Sequence, residues 1–306
     1  MKRKVIQIAN STFLVSLPRT WTGRFNIVKG EELDVLDNGT RVIISTERSK
    51  DVKTKELSFK DMNATTIKKL LYGLYNVGYE EVRINFDAIE SLDIVHNVLR
   101  DEMIGYEIIE QKEDYIIIKS IAGVFETEFD NMLRRAFILF KTMSQGILEA
   151  MKKSDTKTLK SLASLEVNNN KYIAFCIRIL AKRGYIVYEK TNLMYGVLRK
   201  LEEAADELKY LCSFFEEDKN NIKKIDKNII EFYGELIVYI EECYNLFYNF
   251  SFQKADLFLI KRKDLIEKGF SITRLSDARH MRIAYYSINI IQFLADLMAE
   301  KMDLEL

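Results

Sequence analysis

The sequence predicts a multidomain, mainly α-helical protein: a small β-rich head, a small α/β unit, and an all-α body of two three-helix bundles. Three observations lead there. The only proline is Pro18, so everything after it lacks the strongest helix breaker. Up to Ser45 apolar residues fall in short alternating or continuous runs, whereas from about residue 122 they recur with a helical period over long stretches. Polar or glycine-containing breaks then divide the helical stretch into six segments, two runs of three. The expected domains are 1–48, 49–121 and 122–306, the last made of repeats at about 122–218 and 219–306.

In the head, residues 4–9 and 13–17 read as strands joined by the turn Ala9-Asn10-Ser11-Thr12. Ser16-Leu17-Pro18-Arg19-Thr20-Trp21 ends the second strand and opens one helical turn, where proline at an early position loses no helical bond. Lys29-Gly30 is a turn, Glu32 to Leu36 a third strand, Asp37-Asn38-Gly39 a hairpin turn and Arg41 to Ser45 a fourth strand. Four short strands bury little apolar surface alone, so this unit is expected to dimerise. Trp21 is read as core or dimer interface.

The middle unit reads as strand 54–59, helix 62–77, strand 80–86, helix 91–103, and strands 106–111 and 114–119. Asp61 or Asn63 caps its first helix, whose apolar stripe is Ile67, Leu70, Leu71 and Leu74. His96, with no ligand-type residue three or four positions on, reads as structural. Body helices are expected at about 123–152, 156–183, 190–217, 222–251, 253–268 and 275–304. Breaks fall at Lys153-Ser154-Asp155, Arg183-Gly184-Tyr185, residues 216–220 and Gly269-Phe270-Ser271. Asp155 is a candidate cap for the second helix, and Ser276 or Thr273 for the sixth. In the third, Leu198, Leu201, Ala205, Leu208, Cys212 and Phe215 share one face.

Lys plus Arg and Asp plus Glu balance at 46 each, but residues 1–30 hold Lys2, Arg3, Lys4, Arg19, Arg24 and Lys29 and no acid. Such a block attracts polyanions. Cys176, Cys212 and Cys243 are widely spaced in apolar helical runs, which fits buried small hydrophobes better than a zinc site or a disulfide framework. The charged N-terminus is unlike a signal peptide, and no apolar run nears the ~20 residues that span a bilayer. The expectation is a cytoplasmic protein without membrane insertion.

No phosphate loop, nucleophile elbow or zinc-protease motif occurs, and the two histidines lie in different domains, so an enzyme is the least favoured class. Glu202 and Asp206, four residues apart, share one helix face beside the apolar stripe. Paired carboxylates beside a bundle core suit a cation. Equally, Arg199 and Lys209, three residues outside them, can pair with them on a solvated face. Glu126 and Asp130 repeat the spacing in the first body helix.

Two family resemblances attach to these residues. Lys4-Val5-Ile6-Gln7, Ser11-Thr12-Phe13-Leu14-Val15-Ser16-Leu17-Pro18-Arg19 and Val28-Lys29-Gly30-Glu31-Glu32-Leu33 resemble an AbrB/MazE/SpoVT-type domain. That resemblance implies a swapped-hairpin homodimer contacting DNA through Arg3, Lys4, Arg19 and Arg24. The body resembles PhoU, the phosphate-uptake regulator, and the order of head, α/β unit and body is similar to archaeal-type PhoU proteins. Leu201-Glu202-Glu203-Ala204-Ala205-Asp206 matches the length and acidic ends of the motif carried by PhoU helices. Glu166-Val167-Asn168-Asn169-Asn170-Lys171-Tyr172 fits the frame of the preceding helix, with its second and last acids now asparagine. In the second bundle, Met281 and Tyr285 stand at acid positions of the run Arg279 to Asn289.

The PhoU resemblance implies a divalent or ferric ion in the first bundle, on Glu166, Asn170, Glu202 and Asp206. Together the resemblances imply a phosphate-responsive regulator of transcription or uptake. Its head would bind DNA, and its body an effector, a phosphate-transporter subunit or a signalling protein. The alternative is a protein–protein adaptor for a phosphate transporter or kinase, its head serving only to dimerise.

Overall fold

In a computed structural model, residues 1–8, 11–39, 41–46, 53–121, 128–273 and 277–306 are described. The chain is mainly α-helical with a few small sheets, and divides into two compact units, Met1–Lys53 and Thr54–Leu306.

The first unit is built from two hairpins. β1 (Val5–Ile8) pairs antiparallel with β2 (Thr12–Val15), Val5 opposite Val15 and Ile8 opposite Thr12. After Pro18, which stands at the N-cap in extended conformation, comes the short helix α1 (Arg19–Arg24). β3 (Asp34–Asn38) then pairs antiparallel with β4 (Arg41–Ser45), a third strand two residues later than expected. Gly39, at φ 66°, makes the tight turn between them and donates its N–H to Asp37 Oδ1 at 3.1 Å. Every residue of β1 and β2 is exposed, Val5 and Phe13 by 61% and 66%. Trp21 is half-buried, edge-on to Phe25.

The second unit opens with β5 (Thr54–Ser58), α2 (Ala64–Val77), β6 (Glu81–Asn85), α3 (Ile89–Glu102), β7 (Tyr106–Gln111) and β8 (Tyr115–Ser120). The sheet order is β5-β6-β8-β7, with β5 parallel to β6 and the other pairs antiparallel. Alternation fixes the register: Val82 faces Ile118 and Ile84 faces Ile116, all four buried, while the residues between them are only half-buried. Ile67, Leu71 and Leu74 of α2 and Val95, Val98 and Leu99 of α3 join the same core. Asn63 caps α2, its carboxamide oxygen accepting from Thr66 N at 2.9 Å. At the edge strand β7 the pairing slips between Ile108 and Glu110, a β-bulge.

Six helices follow: α4 (Phe129–Lys153), α5 (Thr156–Arg183), α6 (Thr191–Glu217), α7 (Lys227–Tyr248), α8 (Phe252–Thr273) and α9 (Ala278–Glu305). α5 packs on α4 and α6, and α7, α8 and α9 pack on one another. The two sets meet where α6 lies on α9 and α4 on α7, around one continuous apolar core. All three cysteines are free and buried, and burial raises their thiol pKa values. Among the described residues no helix is long and apolar enough to cross a membrane.

Three local expectations are corrected. Residues 222–226 are turn rather than helix: Ile222 is buried, Lys224 has φ 52°, and Asp226 caps α7 by accepting from Asn228 N at 2.7 Å. Gly269 does not break the chain but lies inside α8, at a close approach where a side chain would meet Ile288 at 2.8 Å and Phe232 at 2.9 Å. α9 is capped by Asp277; Thr273 ends α8, and Ser276 lies outside the described residues. The expected start of the first body helix, with Glu126, also lies outside them.

The α/β part and the body are fastened by Arg178 of α5, only 1% exposed. It donates to Tyr75 O at 2.9 Å, pairs with Glu80 at 3.2 Å and lies against the Tyr75 and Tyr106 rings, 5.1 and 4.9 Å from their centroids. Lys182 reaches the other oxygen of Glu80, and Ala174 enters the sheet's core. Arg178→Met removes the buried partner while Lys182 still holds Glu80. We expect a loss of about 3 kcal/mol in urea unfolding, the lower end for breaking a buried pair.

A second tie closes the far end of the body. His280 Nε2 accepts Asp226 N–H at 3.1 Å, which places the proton of the neutral ring on Nδ1, 2.9 Å from Asp277. The hydrogen bond from His280 N, then that from Arg279, hold the Asp277 pKa at about 2 rather than 3.8. A depressed carboxylate pKa gives stability that is present above the ordinary value and lost as pH falls toward the folded one. Melting of the wild type should therefore fall between pH 4 and 2 more steeply than that of Asp277→Asn, which keeps a capping side chain.

Candidate functional site

The structure brings the four residues of the expected metal set together on facing stretches of α5 and α6. Asp155 starts α5 by accepting from Lys157 N at 2.9 Å, and the helix presents Glu166 and Asn170 one turn apart. In α6, Leu201, Ala205 and Leu208 enter the core, which turns Glu202 and Asp206 to its margin. Glu166 is 4% exposed, whereas Glu202 and Asp206 are half-buried.

Cations already attend these carboxylates. Lys209 Nζ lies 2.7 Å from Glu166 Oε1 and 2.6 Å from Asp206 Oδ1. Arg199 Nη1 lies 2.5 Å from Glu202 Oε2. Asn170 donates its Nδ2 to Glu166 Oε1 at 2.5 Å, and its buried Oδ1 has no partner. Burial raises the Glu166 and Glu202 carboxyls against the pull of Lys209 and Arg199. Burial also opposes the charge of Lys209, but its hydrogen bonds to Asp206 and Glu166 outweigh that and raise its pKa.

Sequence reasoning gave Lys209 to Asp206 alone. Its second partner, Glu166, lies 43 positions away on another helix and has no local signature. Glu102 of α3 was also missed. Burial raises its carboxyl, while Lys68 of α2 and Lys209 draw it down, so the α/β part shares this electrostatic neighbourhood. Among the described residues no group of three or more acid, histidine or cysteine side chains is arranged to hold a metal ion.

The expected DNA-contacting residues lie in the head. Arg3, Lys4, Arg19 and Arg24 are all exposed. Antiparallel pairing of Val5 with Val15 sets the entry to β1, with Arg3 and Lys4, beside the exit of β2, from which Ser16, Leu17 and Pro18 lead to Arg19. Trp21 N and Thr22 N both donate to Pro18 O at 3.0 Å, fixing the turn that carries Arg19, and Arg24 ends α1. The Lys29-Gly30 turn is closed by Glu31, whose carboxylate accepts from Val28 N at 3.0 Å.

No protein-family model, curated protein or solved structure matches this chain.

The two ion-pair systems differ in burial, and hence in energy. A double-mutant cycle on Glu166 and Lys209, with Gln and Met replacements, should give a coupling of about 2 kcal/mol in chemical unfolding. The same cycle on the more open Arg199–Glu202 pair should give less than about 1 kcal/mol.

Proposed function

We propose that this chain is a dimeric, phosphate-responsive regulator of transcription or uptake, with a DNA-binding head and a helical body that receives the effector or partner. On this reading the head is an AbrB-like swapped-hairpin domain, the middle a small α/β domain, and the body a PhoU-like pair of three-helix bundles. The single observation that carries it is the head's composition: exposed Arg3, Lys4, Arg19 and Arg24 beside strands whose apolar side chains are also exposed. Apolar strands left open in this way call for a partner surface, and a second copy would double the basic residues presented to one duplex.

Support for the body comes from its element order, two sets of three helices in which the third packs on the third and the first on the first. The phosphate assignment rests on the sequence motifs of α5 and α6. A phosphate-transporter subunit or a signalling protein is the partner class those motifs suggest. The reading requires no catalytic step.

DNA binding is tested by titrating the full chain with duplex DNA across a range of salt concentrations. Affinity should fall steeply with salt. In a dimer, Arg19→Ala removes two phosphate contacts and should shallow the log–log slope by about two. Arg3→Ala should act in the same direction. No affinity at low salt, or an affinity indifferent to both substitutions, overturns the DNA role and leaves the adaptor reading, in which an unrelated dimeriser replaces residues 1–50 without loss of regulation.

A further inference from the structure

The acid cluster of α5 and α6 contains a cation of its own. Lys209 Nζ makes one contact to each helix, 2.7 Å to Glu166 of α5 and 2.6 Å to Asp206 of α6. Both are lengths of charge-assisted hydrogen bonds. The third carboxylate, Glu202, takes the guanidinium of Arg199. The remaining member, Asn170, spends its N–H on Glu166 and leaves one buried oxygen without a partner, a neutral amide oxygen.

A hard cation needs about six oxygens or more at close range, several of them charged. To enter here it would have to expel an ammonium from between its two best carboxylates. The displaced charge, tied to α6 by its own stem, would then stand close to a divalent or trivalent ion in a half-buried site. Coulomb repulsion at such separations is large wherever water screens poorly. The residues present do not fit a metal.

We propose that Lys209 is the resident cation of this cluster, and that its ammonium joins α5 to α6 in place of a metal ion. This inference rests on the PhoU-like reading only for the expectation of a metal; the ammonium bridge stands on its own geometry. A tethered ammonium cannot be stripped by a chelator or exchanged for another ion, so the joint between these helices is independent of metal supply.

The test uses the full chain. Elemental analysis of the purified protein should find no stoichiometric metal, and neither EDTA nor millimolar Mn2+ should move its melting temperature. Lys209→Met, which keeps most of the side-chain bulk and removes the charge, should lower the melting temperature by roughly 5 °C. One equivalent of bound metal in the wild type, or a rise in melting temperature with Mn2+ that disappears in Glu166→Gln, overturns the proposal. So does a Lys209→Met protein as stable as the wild type. A protein that fails here still binds DNA through its head if the functional reading holds, and loss of DNA binding leaves the metal content unaffected, so the two failures are distinguishable.

Discussion

An arginine only 1% exposed dictates much of the second unit, because a charge so buried has to find full compensation from its neighbours. Arg178 finds it in three ways. It reaches Tyr75 O in the last turn of α2, the negative pole of that helix, where the carbonyl also accepts from Gly78 N at 3.0 Å. It pairs with Glu80, just ahead of β6, and it lies against two tyrosine rings. Those rings are fixed in turn, since Tyr75 donates to Ile104 O at 3.1 Å and Tyr106 to Tyr79 O. One side chain of α5 thus specifies how α2, β6 and β7 stand against the helical body. Together with Lys182 and Ala174 it ties the sheet and the helices of residues 54–306 into one compact unit.

Elements with a sustained period were legible in the sequence. The stripe of α6 enters the core at Leu198, Leu201, Ala205, Leu208, Cys212 and Phe215, and the caps at Asn63 and Asp155 follow from residue type and position. What was not legible depends on distant partners. Ile222 looks like one more apolar position of a helix, yet it is buried from a turn. Gly269 looks like a break, yet it is a close approach between α8 and its neighbours, which a local pattern does not encode. Arg178 and Glu80 are 98 positions apart, and Lys209 and Glu166 are 43 apart. For the candidate site, spacing placed Glu202 and Asp206 on one face but not the ammonium between Asp206 and Glu166.

The charged groups of the two units are used in opposite ways. In the head, Arg3, Lys4, Arg19 and Arg24 are exposed, so their fields extend into solvent, screened only by salt. In the body, opposite charges meet across helices: Lys209 with Glu166, Lys141 with Glu241 at 2.7 Å, and Lys268 with Glu235 at 2.5 Å. A protein with zero formal net charge therefore holds a strongly uneven distribution, in which the helical part pairs much of its charge internally.

The two kinds of strand in the molecule face the outside on different terms. β1 and β2 carry exposed apolar side chains and no acidic residue, so little in them opposes stacking on another strand pair. β7, at one margin of the larger sheet, is interrupted by its bulge and carries Glu107 and Glu110, charges of the kind that discourage edge-to-edge pairing. The bare apolar side chains of β1 and β2 thus belong to the first strands of the chain, whereas β7, at one margin of the larger sheet, sets two carboxylates there.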